Sequence, residues 1–167
     1  VSSAASDVYK RQMGQIKSFK EAALVDLPGI YSLSPYTSEE VVTRDFILKD
    51  DPDLIINIVD ATNIERNLYL SLQLMELQKP MVIALNMMDE VTASGNSIDV
   101  HTLSEHLRCP IVPISASKNE GIDELIRVVK KQIRSGKQAV NLDFCKGEVH
   151  RAIHSIAHII CLLYTSD

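Results

Sequence analysis

Short apolar runs alternate along the chain with stretches of helical periodicity, and this alternation limits the possible folds more than any other feature. The apolar runs cover residues 22–25, 54–59, 81–85 and 111–114. Each is rich in Val, Ile and Leu without polar alternation, as in strands buried on both faces of a parallel sheet. The helical stretches cover residues 67–77, 100–107 and 122–133. Together they predict a doubly wound α/β domain with a mostly parallel sheet.

Length and composition are consistent with a folded domain of this kind. The chain has 167 residues, 46% hydrophobic and 23% charged, which excludes wholesale disorder. A net charge of −5 and the absence of a Lys/Arg block disfavour binding to a nucleic-acid backbone by charge alone. Three cysteines without a CxxC spacing argue against a disulfide framework or a zinc ribbon. No apolar run approaches the roughly 18 to 20 residues of a membrane span.

Ligands of doubly wound sheets bind at the carboxyl ends of the strands, so the residues that follow each apolar run are candidate site residues. Three of the four runs are followed by groups that carry candidate residues: Asp26 and Gly29 in a DxxG spacing; Asn86, Met87 and Asp89 in an NxxD spacing; and Ser115, Ala116 and Ser117. The run at 54–59 is followed by the polar segment DATN at 60–63. One interpretation is that these residues are helix caps and turn formers of an unrelated α/β domain.

The order and spacing of these groups also resemble the signature of the GTP-binding G domain. The Asp89 carboxylate can accept both N–H groups on the guanine edge, a contact that adenine cannot offer. The resemblance implies that the Ala116 N–H donates to the guanine carbonyl oxygen and that Asn86 braces the loops. It also implies that Asp26 holds Mg²⁺ through water. The N–H of Gly29 would approach the terminal phosphate, because glycine has no side chain.

One residue departs from the G-domain pattern. Met87 stands where these domains usually have a lysine whose aliphatic stem lies over the base. A thioether can pack on an aromatic face but supplies no ammonium. We therefore expect guanine selectivity to persist through Asp89 and nucleotide affinity to fall.

Two longer stretches narrow the resemblance. The segment DLPGIYSLSPYTSEE at 26–40, followed by Arg44 and Asp45, is similar to the second switch of the ferrous-iron transport protein B family, and so is VDATNIERNLYL at 59–70. In that family a cytosolic G domain and a small helical domain precede a membrane-embedded iron(II) permease. The resemblance implies a P-loop-NTPase-like fold that binds GTP or GDP with Mg²⁺. Iron(II) would be the substrate of the permease and would not bind here.

The residue after DxxG bears on hydrolysis. Many G domains place a water-orienting glutamine there, but here it is Ile30. We therefore expect slow GTP hydrolysis and assign no catalytic residue. Glu39 and Glu40 lie nearby, but acids also favour a helix N-terminus, and we interpret them as the start of a helix.

The phosphate-cradling loop GxxxxGK[ST] of G domains does not occur in the 25 residues before Asp26, and SGKQ at 135–138 does not match it. We interpret 13–138 as a partial G domain without its first strand and phosphate loop, and 139–160 as the start of an α-helical domain. Residues 1–12 and 161–167 resemble non-native tails, although a real polar N-terminal tail is an alternative. Since a missing central strand leaves buried backbone groups unpaired, we expect this chain alone to fold poorly and bind GTP weakly or not at all.

Three histidines, His150, His154 and His158, share one face of a helix predicted for 147–160. This spacing suits a metal-binding helix. Apolar residues occupy another face of the same helix, so we interpret the histidines as its solvated side.

These observations favour one function over two alternatives. The favoured function is a regulatory GTP-binding domain of a bacterial iron(II) transporter, at the cytoplasmic face of the inner membrane. Its expected partners are guanine nucleotide and the transporter's own helical and membrane domains, without nucleic acid, and the intact protein could form a homo-oligomer. The alternatives are a soluble ribosome-assembly-type G protein that binds RNA and a structural remnant that binds no nucleotide. The net acidic charge disfavours the RNA-binding protein.

Overall fold

The computed structural model describes residues 12–16, 19–34 and 36–136. The chain divides into two compact units, of which the first ends at Asp51 and the second begins at Pro52. The predicted helical segment 139–160 with its three histidines lies outside the described residues, as do residues 1–11 and 161–167 of the predicted tails.

A β-hairpin forms the beginning of the first unit. Strand β1 (Gln12–Ile16) pairs antiparallel with β2 (Phe19–Asp26), and Gln12 lies opposite Asp26. The apolar run at 22–25 is therefore a strand, but the expectation that it lies in the parallel sheet is wrong for the described residues. Its partner β1 has the sequence QMGQI, without a continuous apolar run, so the pattern did not predict it. Two residues connect the strands, and a link this short permits only antiparallel pairing.

Helix α1 (Ser38–Lys49) follows in the first unit and begins with reciprocal capping bonds. The Glu40 N–H donates to Thr37 Oγ1 at 3.2 Å, and the Thr37 N–H donates to Glu40 Oε2 at 3.1 Å. These bonds satisfy backbone donors that a helix start would otherwise leave unpaired. The prediction that Glu39 and Glu40 mark a helix start is confirmed.

A parallel sheet organises the second unit. Its strands are β3 (Ile55–Asp60), β4 (Met81–Asn86) and β5 (Ile111–Pro113), in the order β3-β4-β5. The connecting helices are α2 (Ile64–Glu76), α3 (Met88–Ala93) and α4 (Val100–Leu107), and α5 (Ile122–Ser135) follows β5. The central strand β4 is buried from Met81 to Leu85, as a strand covered on both faces requires.

Helices cover both faces of this sheet. Val82 and Ala84 form a buried cluster with β5 residues, and Ile122 and Leu125 of α5 pack against it. On β3, Ile56 packs on this cluster, whereas its neighbour Asn57 donates from Nδ2 to Ser71 Oγ of α2 at 2.7 Å. Because successive strand residues point to opposite faces, α2 and α5 lie on opposite faces of the sheet. The predicted doubly wound arrangement is confirmed.

The edge formed by β3 differs from the centre of the sheet. Within the described residues β3 pairs only with β4, and Ile58 on this strand is 66% exposed.

No helix in the described ranges combines the length and apolar composition needed to cross a bilayer.

Candidate functional site

The loops that follow β4 and β5 meet at the carboxyl edge of the sheet. Asn86, the last residue of β4, accepts the Ala116 backbone N–H on Oδ1 at 3.0 Å. The backbone joins the same segments, because the Met88 N–H donates to the Ile114 carbonyl at 3.3 Å. Parallel strands end at one edge, so this convergence follows from the topology. The Asn86 side chain thus joins the end of β4 to the loop after β5.

Asp89 lies in the first turn of α3, and its side chain is only 15% exposed. The buried Ser115 hydroxyl donates to its carboxylate, and Lys118 Nζ lies 3.1 Å from Oδ2. The Ser115 hydrogen bond, followed by Lys118, lowers the pKa of Asp89 below its ordinary value. Near neutral pH the side chain is therefore an ionised acceptor.

Replacing Ser115 by alanine tests the origin of this shift. The hydroxyl stabilises the ionised carboxylate, so we expect Ser115→Ala to raise the pKa of Asp89 towards its ordinary value. The lowered pKa contributes stability that is present near neutral pH and is lost as the pH falls through the folded-state pKa. In the variant this loss should occur at a higher pH. The ¹³C shift of the Asp89 carboxyl carbon, followed against pH, measures the change.

Asp99 provides an internal control for that titration. Its pKa is also lowered, by hydrogen bonds from the Thr102 backbone and hydroxyl, and these do not involve Ser115. Its midpoint should be the same in both chains. If Asp89 titrates with the same midpoint in the wild-type and Ser115→Ala chains, the Ser115 hydroxyl is not the cause of the lowered pKa.

Ala116 and Ser117 begin the loop after Ser115. The Ala116 N–H, which the resemblance assigns to the guanine carbonyl oxygen, donates to Asn86 in this structure. A base would therefore have to share or replace that bond. Ser117 is exposed, and its Oγ lies 3.3 Å from Ser115 Oγ.

Met87 precedes α3 in a left-handed backbone conformation, with φ of 64°. This conformation costs an L-residue roughly 1–2 kcal/mol, so surrounding contacts have to maintain it. The side chain is 38% exposed. It is therefore accessible beside the loops that carry Asn86 and Asp89.

Gly121 closes the loop that begins at Ser115. Ser115 and Glu120 exchange two backbone hydrogen bonds, each 3.0 Å long, and α5 begins one residue after Gly121. Gly121 has φ of 75°, and a Cβ there would lie 2.3 Å from the carbonyl oxygen of Pro113. This position therefore requires glycine. The sequence analysis did not identify this role of Gly121 or the contact of Lys118.

The remaining candidates, Asp26 and Gly29, belong to the first unit, and Asn86, Met87, Asp89, Ser115, Ala116 and Ser117 belong to the second. Asp26 is exposed at the end of β2. Gly29 is also exposed, and a Cβ built on it would have no other group within 4 Å. Among the described residues, nothing around this position requires glycine.

One expectation about charge needs correction. Four basic side chains line an open groove of about 460 Å³ along α5, namely those of Arg127, Lys130, Lys131 and Arg134. Their spacing places them on one helix face, although the chain has no uninterrupted basic run. Arg127 pairs with Glu124 of the same helix. The second unit therefore has a basic cluster that the sequence analysis did not recognise.

Solved structures share the fold described above. The FeoB G domain from Methanococcus jannaschii is 46% identical with a TM-score of 0.66, covering 67% of this chain and 72% of that one. NFeoB from S. thermophilus in its mGMPPNP-bound form is 47% identical with a TM-score of 0.71, covering 74% of this chain and 48% of that one. The fold is that of a G domain, within the P-loop NTPase class.

The amino-acid sequence identifies the family. The family model for ferrous iron transport protein B matches residues 7–129, and the chain belongs to that family. The Fe(2+) transporter FeoB of Salmonella typhimurium is 46% identical over 121 residues, which are 70% of this chain and 16% of that protein. The FeoB of Helicobacter pylori is 43% identical over 128 residues, 72% of this chain and 20% of that protein. The chain thus spans a fifth or less of the length of these relatives. The predicted fold and family are confirmed.

Proposed function

We propose that this chain is the guanine-nucleotide-binding part of a bacterial iron(II) transporter and that the loops after β4 and β5 recognise the base. One observation carries the proposal: an ionised Asp89 and the linked pair Asn86 and Ala116 meet at the carboxyl edge of the sheet. Related structures support it, since S. thermophilus NFeoB has been solved with GDP and with GMPPNP.

The chemistry of base recognition follows from the donors and acceptors present. The two Asp89 oxygens accept the ring N–H and the exocyclic amine of guanine, which adenine cannot match as a pair. The Ala116 N–H donates to the guanine carbonyl oxygen once it shares or leaves Asn86. Met87 covers a face of the base through its thioether.

Asp26 and Gly29 remain the residues proposed for Mg²⁺ and phosphate. The exposed Asp26 carboxylate fits Mg²⁺, a hard cation that accepts oxygen ligands and retains much of its water. Gly29 leaves its N–H accessible to a phosphate oxygen. When bound, the ion would neutralise phosphate charge.

Slow hydrolysis is part of the proposal. Ile30 cannot orient water, and Glu40 is already bound to the Thr37 N–H as a helix cap. In the intact protein, GTP turnover at the cytoplasmic face of the membrane would regulate iron uptake through movement of the switch after Asp26. The transporter's helical and membrane domains would receive that movement.

A comparison of nucleosides tests base recognition. We expect guanosine, but not adenosine, to shift the amide resonances of Asp89 and Ala116 in ¹H–¹⁵N spectra of the 167-residue chain. Guanosine probes the base loops without the phosphate-binding region. Equal responses to the two nucleosides would overturn the proposal.

A separate prediction concerns phosphate binding by this chain. A phosphate loop supplies several charge-assisted hydrogen bonds of about 1.5–3 kcal/mol each. No GxxxxGK[ST] motif occurs in the residues of this chain before Asp26. We therefore expect this chain to bind GDP less than about tenfold more tightly than guanosine. Isothermal titration with both ligands measures the gain. A cooperative thermal melt together with micromolar GDP affinity would contradict the expectation that this chain folds poorly and binds the nucleotide weakly.

Met87→Lys should strengthen guanosine binding. Lysine would restore the aliphatic stem over the base and add an ammonium, for an expected gain of about two- to fivefold from a partly exposed cation–π contact. The NMR titration described above measures it. Exposed Met13 offers a matched Met→Lys control in the first unit, where no change is expected. A Met87→Lys chain without any gain would contradict the prediction.

A further inference from the structure

Asp89 already has a cationic partner in this structure. Lys118 Nζ lies 3.1 Å from Asp89 Oδ2, and the Lys118 side chain is 55% exposed while that of Asp89 is 15% exposed. The ammonium thus approaches the carboxylate from the solvent side. The Ser115 hydroxyl binds the same carboxylate and is buried.

The backbone around Lys118 holds this lysine at the site. It is the last residue of a 3-10 turn, Ala116–Lys118, and its N–H donates to the Ser115 carbonyl at 3.2 Å. Asn119 follows in a left-handed conformation, and its N–H donates to the Ala116 carbonyl at 3.2 Å. The loop itself therefore places the lysine stem beside α3.

We propose that Lys118 is an internal competitor for guanine: its ammonium occupies the Asp89 carboxylate where the N–H donors of the base would bind, and the base displaces it. The inference rests on the proposed function. A lysine ammonium is a donor with no acceptor, like the N–H edge of guanine towards Asp89. Pairing also neutralises the carboxylate charge, which weakens its hydrogen bonds to a neutral base.

The expected size of the effect follows from the exposure of the pair. The Lys118 side chain is 55% exposed, so solvent screens the pair on that side, and removing Lys118 should strengthen guanosine binding by about two- to fivefold. Lys118→Gln is the suitable change because it keeps the length and polarity of the side chain but removes the charge. An exposed position should tolerate it without loss of the fold.

The experiment compares three forms of the full 167-residue chain, titrated with guanosine by ¹H–¹⁵N NMR. Lys118→Gln should show the two- to fivefold gain. Lys49→Gln is the matched control, because it removes one lysine and one exposed ion pair, with Asp45 at 2.7 Å, in the first unit. It should bind guanosine as the wild type does.

Salt provides a second readout that a merely structural role would not change. Guanosine is neutral, so raising salt from about 50 mM to about 500 mM acts mainly by screening the attraction between the solvent-exposed Lys118 ammonium and Asp89. Wild-type affinity for guanosine should rise with salt, and that of Lys118→Gln should stay constant. A guanosine preference that persists while Lys118→Gln binds equally or more weakly would overturn the competitor role alone. Loss of guanosine preference in all three chains would overturn the proposed function and this inference together.

Discussion

Asp89→Asn should remove the preference of this chain for guanosine over adenosine. The asparagine amide keeps one acceptor but turns a donor towards the exocyclic amine of guanine, so one hydrogen bond is lost and the other loses its charge assistance. Bonds to charged groups contribute about 1.5–3 kcal/mol, which predicts a loss of about 10- to 100-fold in guanosine affinity. The nucleoside titration by NMR measures the loss.

Two comparisons make that result specific. Xanthosine carries a carbonyl where guanosine carries the amine, so Asp89→Asn should bind xanthosine more tightly than the wild type does. Asp99→Asn is the matched control: Asp99 caps α4 through the Thr102 N–H, and asparagine caps helices as well as aspartate. If Asp89→Asn still prefers guanosine over adenosine as strongly as the wild type and Asp99→Asn do, Asp89 does not recognise the base.

Gly121→Ala should destabilise the second unit by about 3 kcal/mol or more, because it combines a steric clash with backbone strain. The new Cβ would lie 2.3 Å from the Pro113 carbonyl oxygen, 3.0 Å from Ile114 Cγ2 and 3.1 Å from Ile114 Cα. Backbone atoms of β5 and its end cannot withdraw without disturbing the sheet. Urea denaturation followed by circular dichroism measures the loss.

Gly95→Ala separates strain from clash. Gly95 has φ of 79°, close to the 75° of Gly121, but in the part of the chain that the structure describes no other group lies within 4 Å of a Cβ built there. Its substitution should therefore cost only the left-handed conformation, about 1–2 kcal/mol. If both variants lose the same stability, the contact with Pro113 does not require glycine at 121.

Sequence periodicity predicted the second unit well because its sheet is built on a central strand, β4, that is buried on both faces. The runs at 54–59 and 81–85 became β3 and β4, and the helical stretch at 100–107 became α4. The hairpin of the first unit was only half predicted. β1 has no apolar run, so its pairing with β2 depends on a connection of two residues and not on hydrophobicity.

The meeting of the loops after β4 and β5 could be predicted, but their internal contacts could not. Topology alone brings Asn86 and Ser115 to one edge. The bond of Ala116 to Asn86 and the pairing of Lys118 with Asp89 depend on side-chain placement within about an ångström, which spacing does not determine. The basic face of α5 was not predicted for another reason: its residues are separated in the sequence, and only the helix brings them to one face.

The outer flank of β3 bears on the behaviour of the chain at high concentration. Within the described residues β3 pairs with β4 alone, and the N–H and C=O groups on the other side of such a strand can bind another polypeptide. Ile58 of this strand is apolar and 66% exposed. Edge strands of natural sheets often carry lysine or proline, which prevent pairing with another chain. Residues 55–59 of β3 carry no charge. Strand addition between copies is therefore the expected route to precipitation, and a lysine at position 58 is the substitution that should preserve solubility.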